Sequence, residues 1–260
     1  MKDDLFKYIF IIVIVLLTGF AVYQVYGAKF HKEEGKETKP AAVPKELIYE
    51  LHLGIAEFDT LDPIKSKNRQ VQEISKLIYE PLIDLTEDYK IKNCLATECS
   101  KVEKTKYLLK LRENVIWHNG AQFSAQDVVD AIERIKVSDS IYLSMVEKIE
   151  QVQILDENTI KISLIEEVPF FAYYLTFPIY KEENCGTGKY QLISENEKEM
   201  LLEENKSWWG RKEEFVLKSI HIEKFVSLNE LYSAFKAERI DLVSTANLGI
   251  RQYIRSIRIL

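Results

Sequence analysis

The sequence predicts a mixed α/β domain preceded by an N-terminal transmembrane or signal helix. Three observations carry this expectation. Residues 8–28 contain no charged side chain, and as a helix rising about 1.5 Å per residue they span a ~30 Å hydrocarbon core. From residue 47 onward, short runs of period-two alternation interleave with capped runs of helical period, the mark of strands and helices mixed along one chain. Residues 219–243 close this pattern with strand, helix and strand in succession. Composition agrees, because 47% hydrophobic and 29% charged residues in a chain of 260 can build a packed core.

The first segment, residues 1–28, suits either a retained anchor or a signal peptide, and both readings stand. Its apolar run is long for a signal, and Val25-Tyr26-Gly27 is only a passable cleavage site. No cysteine near its end could take a lipid anchor. Lys2 and Lys7 precede the run, while Lys29, Lys32, Lys36 and Lys39 follow it. Taken alone, that count would put the C-terminal side in the cytoplasm. Residues 29–45 are rich in Lys and Glu and close with Pro40 and Pro44, which reads as a solvated, charged tether. The folded domain is expected from residue 46 to residue 260.

Within that domain, residues 47–53 alternate as a strand, followed by a turn through Glu57-Phe58-Asp59-Thr60-Leu61-Asp62-Pro63. A helix over 70–78 stops at Glu80-Pro81, because the residue before proline avoids the helical region. Residues 82–85 and 107–111 read as strands. Asn119-Gly120 is a strong tight-turn signal. Ser124 opens a helix, with Asp127 as a short-armed capping-box partner and Val128, Val129, Ile132 and Ile135 along one face. Residues 149–155 and 159–164 form strands around the turn Asp156-Glu157-Asn158. Pro169 starts a short aromatic helix ending near 175. Gly186-Thr187-Gly188 turns into a strand over 190–193. The closing unit has a strand at 219–225, a helix at 227–238 capped by Ser227 and Glu230, and a strand at 240–243.

Several functions are excluded. A net charge of −6 speaks against nucleic acid, whose phosphates call for a Lys and Arg excess. There is no phosphate-cradling G-x-x-x-x-G-K-[ST], no G-x-S-x-G and no H-E-x-x-H. Gly186-Thr187-Gly188 lacks the third glycine of a dinucleotide site. His31, His52, His118 and His221 are scattered, and the two in strand patterns, His52 and His221, read as packed or solvent-facing rings. Glu166-Glu167 reads as a solvated strand end. No catalytic group, no metal and no cofactor is expected. The three cysteines leave Cys94 and Cys99 either as a disulfide, should the domain be exported, or as free thiols.

A set of motifs falls into a familiar order. Leu61-Asp62-Pro63 precedes a helix ending Ile78-Tyr79-Glu80-Pro81-Leu82. Leu95-Ala96, Leu111-Arg112-Glu113-Asn114-Val115, Trp117-His118-Asn119-Gly120 and Ser124-Ala125-Gln126-Asp127-Val128-Val129 follow. Val168-Pro169-Phe170-Phe171, Gly186-Thr187-Gly188-Lys189-Tyr190, Trp208-Trp209-Gly210 and Ile240-Asp241-Leu242-Val243 complete the series. Together, over about residues 47 to 250, they resemble the family 5 extracellular solute-binding proteins, the oligopeptide, dipeptide and nickel receptors of bacterial ABC importers. The chain departs from that family in lacking a Trp near Cys99, in carrying Lys189 where Pro is usual, and in a short stretch between Pro178 and Gly186.

The resemblance implies a type II periplasmic-binding-protein-like fold. Family chains are roughly twice as long, so the expectation is most of lobe one without lobe two. Ligand would sit between lobes, with Glu57 and Phe58 at the cleft and Glu57 available to a peptide's ammonium group. Tyr142 would offer an aromatic contact, and Thr245, Ala246 and Asn247 would border the cleft. Trp117, Trp208 and Trp209 are expected to pack. The implied partners are a short peptide or similar small solute, the permease subunits of an ABC transporter and, through the N-terminal helix, the membrane. The domain would lie on the extracellular or periplasmic side, against the lysine count, and would be secreted if the segment is cleaved. A single lobe should bind weakly or not at all, since immobilisation costs the same while contacts are halved. The alternative is a membrane-tethered interaction or sensing module, or an inactive remnant, derived from such a receptor.

Overall fold

The structure, a computed structural model, describes residues 50–181, 184–212 and 217–243. The expected membrane segment and tether lie outside these residues, as do Thr245, Ala246 and Asn247. Among the described residues no helix is long and apolar enough to cross a membrane.

The chain runs from β1 (Glu50–Ala56) through α1 (Arg69–Ile78) to the short strands β2 (Glu80–Pro81), β3 (Ile83–Leu85) and β4 (Ile91–Asn93). Next come β5 (Ala96–Glu103), β6 (Lys106–Leu111), α2 (Ala125–Lys136), α3 (Leu143–Val146), β7 (Ile149–Asp156) and β8 (Thr159–Leu164). A 3-10 turn at Phe171–Leu175 leads to β9 (Pro178–Ile179), β10 (Tyr190–Glu195) and β11 (Glu199–Glu204). The chain then forms β12 (Ser219–Phe225), α4 (Leu228–Lys236) and β13 (Leu242–Val243).

Two sheets organise the molecule. The larger has the order β10-β11-β12-β1-β13, with β1 parallel to both β12 and β13 and β11 antiparallel to its neighbours. The smaller, β5-β6-β8-β7, is antiparallel throughout. α1 packs Val71, Ile74 and Ile78 against Leu53, Ile55, Ile220 and Ile222 on one face of the larger sheet. α4 packs Leu231 and Ala234 with Ala56, Phe225 and Val243 on the other. The smaller sheet buries Leu109, Ile160 and Ile162 with Val128, Ile132 and Ile135 of α2.

This double cover explains where the sequence pattern misled. The alternation marked a first strand at 47–53, whereas β1 continues to Ala56 and its last four residues are all buried. A strand covered on both faces has no polar side to alternate with. Gly54 belongs here, because a Cβ would collide with Leu231 and Ile240. β11 was not expected, and β10 runs on to Glu195 to pair with it. The predicted stripe on α2 needs one change, for Val129 is only half-buried while Ala131 takes its place in the core. The aromatic helix after Pro169 is a 3-10 turn entered through Phe170 at φ 55. The Asn119-Gly120 turn stands as expected, with Gly120 at φ 84 and its N–H on Trp117 O at 2.8 Å.

The Cys94–Cys99 disulfide is not formed; Cys94, Cys99 and Cys185 are free thiols. Cys99 lies inside β5 and Cys94 just before it. Burial pushes the Cys94 thiol up, and that of Cys99 to about 11.

Candidate functional site

In an open α/β sheet, ligands bind outside the carboxyl ends of the parallel strands. Here β1, β12 and β13 end at one edge, and the loop leaving β1 there is closed by its own side chains. Asn68 caps α1, its Oδ1 accepting from Gln70 N at 2.8 Å and Val71 N at 3.3 Å. Its Nδ2 donates to Ala56 O at 2.9 Å and Glu57 O at 2.7 Å. Gln70 Oε1 accepts from Ala56 N at 2.9 Å. The Asp59 carboxylate receives Thr60 N, Ser66 Oγ and Lys67 N at 2.7 Å each and Asn68 N at 3.1 Å. Burial alone would raise the Asp59 carboxyl, but these four donors outweigh it and hold it below its ordinary value.

Glu57 sits at the head of this loop. Its N–H donates to Phe225 O at 3.0 Å, its carbonyl is held by Asn68, and its side chain is exposed. Its φ of 55 lies in the left-handed region, which disfavours any side chain larger than glycine. A glutamate kept there with both backbone groups engaged has its backbone, and so the direction of its Cβ, set before any ligand arrives, strained at a place where strain can serve a ligand.

Phe58 follows, half-buried, with Lys224 Nζ 3.8 Å from its ring centroid. Lys224 also reaches Glu195 at 2.7 Å and Asn196 O at 2.9 Å, joining the ends of β12 and β10. Beyond Phe58 opens a 570 Å³ cavity lined by Asp62, Tyr79, Arg134, Tyr180 and Glu195 among others. Arg134 lies 4.5 Å over the Tyr180 ring and donates to Tyr180 O at 2.7 Å.

Tyr142 attaches to the same loop from α3. Its N–H donates to Ser140 Oγ at 3.1 Å, and that hydroxyl donates to Ile64 O at 2.9 Å. Its ring packs half-buried on the core of the smaller sheet, and burial, with Glu73, raises its phenol. The structure therefore places Glu57, Phe58 and Tyr142 on or against one loop. Among the described residues no group of three or more His, Cys, Asp and Glu could hold a metal ion.

Sequence reading missed the residues that hold this site. Asn68 stands just before an apolar periodic run, which is the N-cap signature. Lys224 gives no local signal, because its partners lie on other strands. Glu80 read only as a helix stop. It is buried, and its carboxylate accepts from Trp208 Nε1 at 2.9 Å, Trp209 Nε1 at 2.8 Å and Thr187 Oγ1 at 3.0 Å. The two tryptophans thus pack, as expected, and also act as donors. Burial raises the Glu80 carboxyl, with these bonds opposing it in part.

Comparison with known proteins gives one family. Residues 90–256 match the model of the bacterial extracellular solute-binding proteins, family 5 middle region. The glutathione-binding protein GsiB of Salmonella typhi is 26% identical over 180 residues, 62% of this chain and 35% of the relative. NikZ from Campylobacter jejuni, solved in complex with Ni(L-His), superposes with a TM-score of 0.66 at 23% identity, over 75% of this chain and 43% of that one. The oligopeptide-binding protein AppA from Bacillus subtilis, solved with a nonapeptide, gives 0.68 at 16% identity, over 78% and 45%. These structures establish the fold. The chain spans about a third of the curated relatives it matches and under half of the solved ones.

Proposed function

The chain belongs to the family 5 bacterial extracellular solute-binding proteins, and from that premise we propose that it captures a short peptide or similar small solute outside the membrane for an ABC importer. Family 5 proteins are non-enzymatic transport components, so capture and delivery, not turnover, is the activity to account for. In this reading the domain from residue 46 onward meets the permease subunits, and residues 1–28 anchor it or export it across residues 29–45.

The observation that carries the reading is the carboxylate of Glu57, exposed on a left-handed backbone fixed by Phe225 and Asn68 at the carboxyl edge of the sheet. A carboxylate carried on a backbone fixed before binding is suited to a peptide ammonium, since a charge-assisted bond is stronger when less ordering remains to be done. Phe58, next in the chain, adds aromatic surface, Tyr142 is proposed to offer a further aromatic contact, and Thr245, Ala246 and Asn247 are proposed to border the same cleft. Glutathione and a nonapeptide, the ligands named for two of the relatives, fit the class of solute proposed.

The test is calorimetric titration of the chain with one short peptide in two forms, amino terminus free and acetylated. The free form is expected to bind and the acetylated form to bind more weakly. Glu57→Gln should bring the two together. Equal binding of both forms by the parent chain would remove Glu57 from the ligand site.

A further inference from the structure

We propose that His52 and His221 form a two-imidazole site for a divalent transition ion of the Ni2+, Cu2+ or Zn2+ type, separate from the loop that holds Glu57. The two residues are direct register partners on the adjacent parallel strands β1 and β12. Their rings stack with centroids 5.0 Å apart and planes 15° from parallel. They share the sheet face that α4 covers at Gly54, but α4 does not reach His52, which stays exposed. With Ser194, Glu199, Glu223 and Arg239 they line a cavity of 350 Å³.

The rings are available as ligands. Among the described residues neither imidazole is held in a hydrogen bond, whereas both ring nitrogens of His118 are engaged, Nδ1 accepting from Gly186 N at 3.3 Å and Nε2 meeting Gly188 O at 3.2 Å. The backbone beneath His52 is fixed by Asp241, whose Oδ2 accepts from His52 N at 2.8 Å and whose N–H donates to His52 O at 2.7 Å. Two nitrogens bound to one ion at ~2.1 Å stand at most ~4.2 Å apart. Rings 5.0 Å apart reach that separation by side-chain rotation, without moving the strands.

The surroundings favour a cation. Strand register puts Glu199 and Glu223 in the row beyond the histidines on the same face, and Glu203 and Glu50 in the row before them. Glu223 is taken up by Arg239, at 2.8 and 3.1 Å. Glu199 carries a 3.3 Å bond from the Asn196 amide and is the carboxylate free to swing. No third ligand converges on the pair as it stands, so water fills the remaining positions. Imidazole donors select Ni2+, Cu2+ and Zn2+ over Mg2+ and Ca2+, which take oxygen. Helical i, i+4 spacing could not show this pair, because the sheet alone brings the two positions together.

The experiment is titration of the full chain, in mild detergent near neutral pH, with Ni2+ and separately with Mg2+. One Ni2+ per chain is expected, and no Mg2+ competition. His52→Gln and His221→Gln should each weaken Ni2+ by at least the ~10-fold that losing an outer-shell partner costs in metal sites. His31→Gln should change nothing. Cu2+ electron paramagnetic resonance on the unaltered chain should show two imidazole nitrogens, which keeps the test valid if a variant misfolds. Unchanged Ni2+ affinity in both strand variants, or loss of binding in His31→Gln alone, would overturn the proposal. Peptide capture should not change in either strand variant, so failure here leaves the reading of Glu57 untouched.

Discussion

Three side chains at the loop after β1 divide the work of presenting a carboxylate. Glu57 is held in a left-handed conformation that costs of the order of 1–3 kcal/mol. Glu57→Gly should therefore leave stability unchanged or raised in urea unfolding while peptide capture is lost. A side chain placed for packing would behave the other way, losing stability on truncation. Asn68 supplies a helix cap and two carbonyl bonds, so Asn68→Ala should cost about 1–2 kcal/mol by the same measurement. Asp59 and Glu80 are opposed in their pH dependence. The Asp59 carboxyl lies below its ordinary 3.8, so its contribution is complete above that value and is lost as pH falls through the folded value. Glu80 lies above its ordinary 4.5, so its contribution is complete below 4.5 and is lost as pH rises through the folded value. Glu80→Gln should abolish that second slope in unfolding free energy measured from pH 4.5 to neutrality. It should also cost about 1–3 kcal/mol, because one tryptophan N–H is left without an acceptor.

Elements in this fold are fixed by what covers them, and that decided how far each was legible. α2 and α4 announced themselves through Ser124, Ser227 and an apolar face, all local features. β1 is buried on both faces and lost its alternation where it matters most, and β11 is known only by its pairing with β10 and β12. The Gly186-Thr187-Gly188 segment read as a simple turn, yet it is a seat for the end of α1. Gly188 N donates to Ile78 O at 2.9 Å, and a Cβ on either glycine would strike the Ile78 backbone. Backbone cannot yield as a side-chain tip can. Gly188→Ala is therefore expected to cost about 3 kcal/mol, the upper range for overpacking, seen as a lower midpoint in thermal unfolding. Of the candidate site, Glu57, Phe58 and Tyr142 came from the order of motifs. Asn68, Lys224 and Glu80 did not, because their partners are set by tertiary contacts between positions far apart in sequence.

At the scale of the molecule, the ordered motifs pointed to a family that the match over residues 90–256 establishes. The larger sheet carries the loop that holds Glu57 at its carboxyl edge and, toward the other end of β1, the histidine pair. The central claim is that the chain holds a small peptide through Glu57. The direct measurement is thermal unfolding of the chain with and without millimolar short peptides, for the parent and for Glu57→Gln. Only binding to the native state raises the midpoint. A midpoint that rises with peptide in the parent and not in Glu57→Gln is the predicted result. A midpoint that peptide leaves unmoved in the parent, or raises equally in the variant, would contradict it.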